Sequence, residues 1–227
     1  MEFQIDNTEA KEILISVLAI SFAFTIVYAG TGAFFSYPKY FFLFAALAVV
    51  TVGSGFILHE MAHKIVANYY GAYARFKMWL YGLLFMFITS FIGFLFAAPG
   101  AVYIYSQNIS KKENALISLV GPFVNILLAA IFLILEMIKP VTFYFPFLRG
   151  SLHAWQFGAQ INIILALFNM LPTFPLDGSK VFVWNKFAWA GFIIISLAFG
   201  YFLFGSGIVL MWGMLLILSL LFSRMLI

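Results

Sequence analysis

The stretch Phe56-Ile57-Leu58-His59-Glu60-Met61-Ala62-His63-Lys64-Ile65-Val66 places a carboxylate and two imidazoles inside an apolar run. The run extends outward over residues 40–67 without a proline, which predicts a helix. Residues four apart on a helix lie one turn above each other on the same face. His59 and His63 can therefore offer nitrogens to a single ion at about 2.0–2.1 Å, the zinc–nitrogen distance. Glu60, next to the first of them, is placed to take a proton from water that the metal activates. An ionisable residue at membrane depth costs roughly 2.5–3.5 kcal/mol even on lenient insertion scales. A bound dication offsets that cost for Glu60 and uses the histidines in their neutral form. The alternative is a helix–helix contact in which Glu60 pairs with Lys64 at i, i+4. That alternative accounts for the glutamate but not for two of the 3 histidines falling at ligand spacing around it.

Composition puts this helix in a membrane. Of 227 residues, 65% are hydrophobic and 9% charged, against about 25% charged in ordinary soluble domains. So few charges cannot cover a soluble surface of this size. Apolar blocks run at about 13–35, 40–67, 77–105, 115–138, 153–172, 187–204 and 206–225, and many reach the ~20 residues a membrane-crossing helix needs. The predicted fold is an all-α polytopic protein of the cell membrane, with about six transmembrane helices plus a re-entrant or hairpin segment and a zinc site within the membrane. Glu2, Asp6, Glu9 and Glu12 precede the first block, the wrong sign for a signal peptide, so it reads as a retained span. The net charge of +4 is spread over loops and points to no nucleic-acid partner. The absence of cysteine excludes disulfides and thiolate chemistry. Polar segments are loop-sized, so residues 1–227 read as one membrane-embedded unit. Its core lies at about 40–186, with peripheral helices at about 13–35 and 187–225.

A catalytic zinc takes three protein ligands and keeps one position for water. Glu113 lies in a charged loop, Glu136 is three residues before Lys139 in a local ion pair, and His153 starts a span beside Trp155, an interfacial arrangement. Asp177 differs from these. It ends the stretch Phe168-Asn169-Met170-Leu171-Pro172-Thr173-Phe174-Pro175-Leu176-Asp177, directly after an apolar span and before Gly178. Two prolines and a glycine break the helix there. Irregular backbone at membrane depth is tolerated only when buried in protein or lining a cavity. The bland reading of Asp177 is a helix-ending loop with a solvated carboxylate.

His59-Glu60-Met61-Ala62-His63 followed by FNMLPTFPLDG at 168–178 resembles the site-2 protease family of intramembrane zinc metalloproteases, peptidase family M50. The family pattern is HExxH on one span and a later F-N-x-x-P-x-x-P-x-D-G. Val120-Gly121-Pro122-Phe123-Val124-Asn125 resembles the family's G-P-x-x-N segment. The resemblance covers roughly residues 50–180, and departs at Ser179, where many members carry a second glycine. It implies His59, His63 and Asp177 as ligands of one zinc per chain, Glu60 as catalytic base, and Asn169 as a candidate for stabilising the oxyanion. No PDZ or nucleotide-sensing domain is visible in the sequence. From the residues themselves, an amide N–H aimed at an oxyanion contributes about 2.7–4 kcal/mol, and an interhelical hydrogen bond about 0.6 kcal/mol. Asn125 and Asn162 read as interhelical contacts, and Asn169, close before Asp177, as functional.

Three functions compete. The first is a zinc endopeptidase that cuts single-span membrane proteins inside the bilayer. The second is a membrane zincin with Glu113 or Glu136 as third ligand. The third is a metal transporter, which would need a polar path through both membrane halves, whereas the acids here cluster at one locus. Parity adds a topological expectation. His63 nears the end of its helix and Asp177 follows the end of the 153–172 span, so both ends should face one side. Residues 77–105 must then enter and leave on the same face. Gly82, Gly93, Pro99 and Gly100 interrupt that block, and Trp79, Tyr81, Tyr103 and Tyr105 favour interfaces.

Overall fold

The computed structural model describes residues 4–95, 99–106 and 108–225. Helix α1 (Asn7–Ala29) starts at Asp6, whose carboxylate accepts from the N–H groups of Thr8 and Glu9, both at 2.8 Å. The first apolar block is thus not one helix over 13–35. It begins earlier and breaks at Gly30, where φ is +77°, before the short α2 (Thr31–Ser36).

Pro38 opens the next helix, where its missing N–H has no cost. This rod runs as α3 (Pro38–Ala48), a π-helical segment (Val49–Gly53) and α4 (Ser54–Tyr69). The predicted helix over 40–67 is therefore present, with a widened turn that the apolar pattern did not announce.

Strand β1 (Tyr73–Met78), helix α5 (Leu80–Phe91) and strand β2 (Gly100–Tyr105) follow. The strands pair antiparallel from Tyr73↔Tyr105 to Met78↔Gly100. The two ends of the 77–105 block thus lie side by side, while residues 96–98 within it lie outside the described residues. Alternation sorts the ribbon's faces. Ala74 and Phe76 are buried, while Tyr73, Tyr103 and Tyr105 stand outside, with Lys77 Nζ 5.6 and 5.5 Å from the Tyr103 and Tyr105 rings.

Helix α6 (Lys111–Ile138) opens with a capping box in which Ser110 and Glu113 satisfy each other's backbone N–H. A hairpin of β3 (Thr142–Tyr144) and β4 (Ser151–His153) leads to α7 (Ala154–Asn169). The chain ends with α8 (Asp177–Trp184), α9 (Lys186–Phe204) and α10 (Ser206–Met225).

Helix α6 lies between α4 and α7. One apolar core joins α6, α7, α9 and α10 through Ala129, Ile163, Leu167 and Trp212. A second joins α1, the α3–α4 rod, the ribbon and α7 through Ile20, Phe44, Phe76 and Phe157. Among the described residues, four helices, Asn7–Ala29, Pro38–Tyr69, Lys111–Ile138 and Lys186–Phe204, are long and apolar enough to cross a membrane. Large apolar side chains such as Phe187, Ile194 and Phe202 stand exposed, which lipid accommodates and water does not. The molecule is a predominantly helical integral membrane protein.

Candidate metal centre

On α4, His59 and His63 turn toward each other with Nε2 atoms 3.0 Å apart. Asp177, the first residue of α8, brings Oδ2 to 3.3 Å from His59 Nε2 and 3.1 Å from His63 Nε2. Ligand atoms of the three residues all lie within 4.8 Å of one another. All three side chains are buried, as is Glu60. Two local features bring α4 and α8 together. A Cβ on Gly121 of α6 would sit 2.5 Å from His63 Nε2, so only glycine lets that helix pass the imidazoles. A Cβ on Gly178 would meet the carbonyl oxygen of Met170 at 2.2 Å, so glycine also lets α8 fold back against the end of α7. Trp189 holds the same corner by donating its indole N–H to Met170 O at 2.7 Å.

The donor set can be read from its outer partners. His63 Nδ1 lies 2.6 Å from the carbonyl oxygen of Ile117, which can only accept, so Nδ1 carries the proton. His59 Nδ1 lies 2.7 Å from Asn125 Oδ1, and Asn125 Nδ2 donates to Gly55 O at 3.1 Å. The amide is therefore oriented with its oxygen toward His59, and that Nδ1 is protonated too. In their neutral form both imidazoles present Nε2 lone pairs to the same point as a carboxylate oxygen. Three acceptors facing one another without a donor repel, and a cation between them removes the conflict. Imidazole and carboxylate with two oriented histidines suit zinc, so the residues present fit the group.

Glu60 Oε2 accepts from the backbone N–H of Val102 at 2.8 Å. That bond ties the carboxylate to strand β2. A cavity of about 510 Å³ opens here, lined among others by His59, Glu60, Val102, Asn169, Phe174 and Asp177. Asn169 thus faces the cavity, with its Nδ2 donating to Leu165 O of its own helix at 3.0 Å. Lys180, one turn into α8, holds Nζ 3.6 Å from Asp177 Oδ1.

The alternative set aside for Glu60 is not found, and one sequence expectation, for Glu136, is corrected. Glu60 does not pair with Lys64, whose Nζ instead meets both carboxylate oxygens of Glu9 on α1 at 2.6 Å. Glu136 does not pair with Lys139, and its Oε1 lies 2.8 Å from His153 Nδ1. Glu136 follows Ile117 by 19 residues on α6, roughly 28 Å at 1.5 Å per residue, so it lies far from the histidines. Glu113 is engaged in its capping box. His59, His63 and Asp177 are the group that gathers among the described residues. The Val102 N–H was invisible in the sequence because a backbone donor carries no residue signature. Asn125 was visible as a polar residue in a span and as the last residue of the G-P-x-x-N resemblance, and neither showed that it faces His59.

The sequence model of Peptidase family M50 matches residues 146–212. The chain is 44% identical over 191 residues to Putative zinc metalloprotease MJ0611 of Methanocaldococcus jannaschii, covering 83% of this chain and 90% of that protein. It is 29% identical over 147 residues to Putative zinc metalloprotease YwhC of Bacillus subtilis, covering 59% and 66%. It is 29% identical over 179 residues to Putative zinc metalloprotease Rip3 of Mycobacterium tuberculosis, covering 75% of this chain and 40% of that protein. No solved structure matches significantly. Similarity of this extent to the archaeal protein, on a fold that gathers a buried His-His-Asp group, shows that the chain belongs to peptidase family M50, the site-2 protease family, and is an integral membrane metalloprotease whose cofactor is zinc.

Proposed function

We propose that the chain is a multi-pass enzyme of the cell membrane that cleaves transmembrane segments of single-span proteins within the bilayer. The observation that carries this reading is the position of the metal group. His63 and His59 lie six and ten residues before Tyr69, the end of the 32-residue rod. At 1.5 Å per residue that is roughly 9–15 Å inside the helix end, beside a cavity rather than on a soluble lobe.

His59, His63 and Asp177 would hold the ion. Zinc, when bound, supplies Lewis acidity that activates water near neutral pH and polarises a peptide carbonyl. Glu60 takes the proton of the attacking water as its oxygen adds to the carbonyl carbon. It returns that proton to the amine as the C–N bond breaks. The Val102 N–H keeps the carboxylate aimed into the cavity. Asn169, on the cavity wall, is the candidate donor to the oxyanion.

A transmembrane helix hides its carbonyls in internal hydrogen bonds, so the substrate must unwind. Strand β2 is suited to receive it. Val102 turns its N–H away from β1 and toward Glu60. The open edge of β2 therefore borders the catalytic group, and an extended segment could add there. Substrates with Gly, Pro or Asn near the cut follow from this. Residues 77–105 then return to the face they left, in a chain of six spans. The pairing of Tyr73 with Tyr105 supports that path. Single cysteines at Arg75 and Ser106 should label from the same side, and labelling from opposite sides would refute it. The catalytic reading is tested by incubating purified protein with a panel of single-span substrates. Cleavage by the native chain and none by Glu60→Gln is expected. Equal turnover by Glu60→Gln would overturn the assignment.

A further inference from the structure

Beyond the residues at the ion lies a chain of buried amides. Asn125 on α6 and Asn162 on α7 are both fully buried. Asn162 donates through Nδ2 to Gly158 O at 2.9 Å and to Thr51 O, in the π-helical segment, at 3.5 Å. Backbone carbonyls can only accept, so these contacts fix which end of the Asn162 amide faces them. Its Oδ1 therefore points the other way, and Asn125 Nδ2 donates to it at 2.9 Å. Asn125 Oδ1 is left for the Nδ1–H of His59 at 2.7 Å. The site is cut to fit this amide, since a Cβ on Gly55 would stand 2.7 Å from Asn162 Oδ1.

We infer that Asn162 is a positioning residue for the metal centre: by accepting from Asn125 Nδ2 it locks the Asn125 amide so that His59 keeps its proton on Nδ1 and its lone pair on Nε2. The alternative orientation of Asn125 would aim an N–H donor at His59 Nδ1. That ring nitrogen would then have to give up its proton, which would move to Nε2 and close the lone pair that faces His63 and Asp177. Two acceptors oppose that flip, Gly55 O at 3.1 Å and Asn162 Oδ1 at 2.9 Å. Asn162 is the shorter of the two restraints. The chain of amides runs from the π-helical turn of the α3–α4 rod, through α7 and α6, back to α4. It thus fixes the tautomer of a ligand with groups that never meet the ion. This function is distinct from the interhelical adhesion that an asparagine in a span ordinarily provides.

The inference rests on the metal reading, and one experiment separates the two. Zinc affinity is measured by competition with a chromophoric chelator for the native chain, His59→Ala, Asn162→Leu, Asn125→Leu and the double variant Asn125→Leu/Asn162→Leu. Outer partners of metal-bound histidines typically change affinity by about 10–100-fold when removed. Asn162, one step further out, should weaken zinc about fivefold when changed to leucine, the size of one lost hydrogen bond. Asn125→Leu has no amide to orient, so Asn162 has nothing to lock. In that background, Asn162→Leu should leave zinc affinity unchanged. A general packing role would weaken zinc equally in both backgrounds, and that result overturns the inference, as does unchanged affinity in Asn162→Leu alone. Undiminished zinc binding by His59→Ala would instead sink the metal reading itself. Where Asn162→Leu does not accumulate, Asn162→Ala carries the same expectations.

Discussion

His63 and Lys64 are neighbours on α4, yet they belong to two buried charge clusters with opposite character. Lys64 meets both carboxylate oxygens of Glu9 at 2.6 Å and the carbonyl oxygen of Gln4 at 2.7 Å. The N–H of Phe76 adds a bond to Glu9 Oε1 at 2.9 Å. Donors there face acceptors, and the cluster is complete within the protein. It ties α1 to α4 and to strand β1. On the other face of α4, two Nε2 atoms and one Oδ2 converge, and with both imidazoles neutral no donor stands among them. The first cluster is a brace, and the second is what we propose as the receptor for the cation. The difference lies in what each group leaves unmet, not in how deeply it is buried.

Removing the metal should have the largest effect. Treatment with a zinc chelator should lower cleavage of a single-span substrate at least a hundredfold, on the order of one lost catalytic group or more. Added zinc should restore it. Activity that survives the chelator would erase the distinction between the clusters, because both would then be structural.

Breaking the brace comes next and should read out in stability. Lys64→Met strands the Glu9 carboxylate in the interior and should destabilise the fold by about 3–5 kcal/mol. Glu9→Leu combined with Lys64→Met should recover most of that loss, since a buried pair replaced by apolar residues is often neutral. Denaturant unfolding of the three proteins measures both. A neutral Lys64→Met would show that the pair carries no structural weight.

Smaller effects mark the outer charges. His153 is nearly half exposed where it meets Glu136, so Glu136→Gln should shift stability by less than about 1 kcal/mol. Asp6 is more exposed still. The Glu9 N–H that donates to it holds its carboxyl below the usual range, with the Arg75 guanidinium nearby adding to this. A depressed carboxylate contributes above its unfolded value and is lost as pH falls through its lower folded one. The amide resonances of Thr8 and Glu9 should therefore titrate with a midpoint under about 3.9, the unperturbed aspartate value. A midpoint at or above that value would show that the cap is not formed.

The sequence disclosed the centre better than its surroundings. His59 and His63 could be paired because i, i+4 is a local geometry, and Asp177 stood out because Pro172, Pro175 and Gly178 break the chain where an acid appears. Lys64 entered only as the alternative partner of Glu60, for the same reason, local spacing being the only register a single sequence displays. Its actual partner is 55 residues away. Aromatic interfaces and glycines in 77–105 pointed to a segment that turns back, a proposal that the β1–β2 pairing supports and cysteine labelling tests. The π-helical turn at Val49–Gly53, which packs against α1 and α7, left no trace in the apolar pattern. Asn162 looked like an ordinary interhelical contact, since which end of an amide faces which neighbour is decided only by the neighbours.

The central claim is that the convergent acceptors of α4 and α8 form the zinc site while Glu60 serves chemistry alone. Metal analysis after exhaustive dialysis tests it directly when the native chain, Glu60→Gln and Asp177→Ala are compared. The account predicts zinc retained by the native chain and by Glu60→Gln, cleavage only by the native chain, and neither metal nor cleavage in Asp177→Ala. Zinc retained in full by Asp177→Ala, or lost from Glu60→Gln, would contradict it.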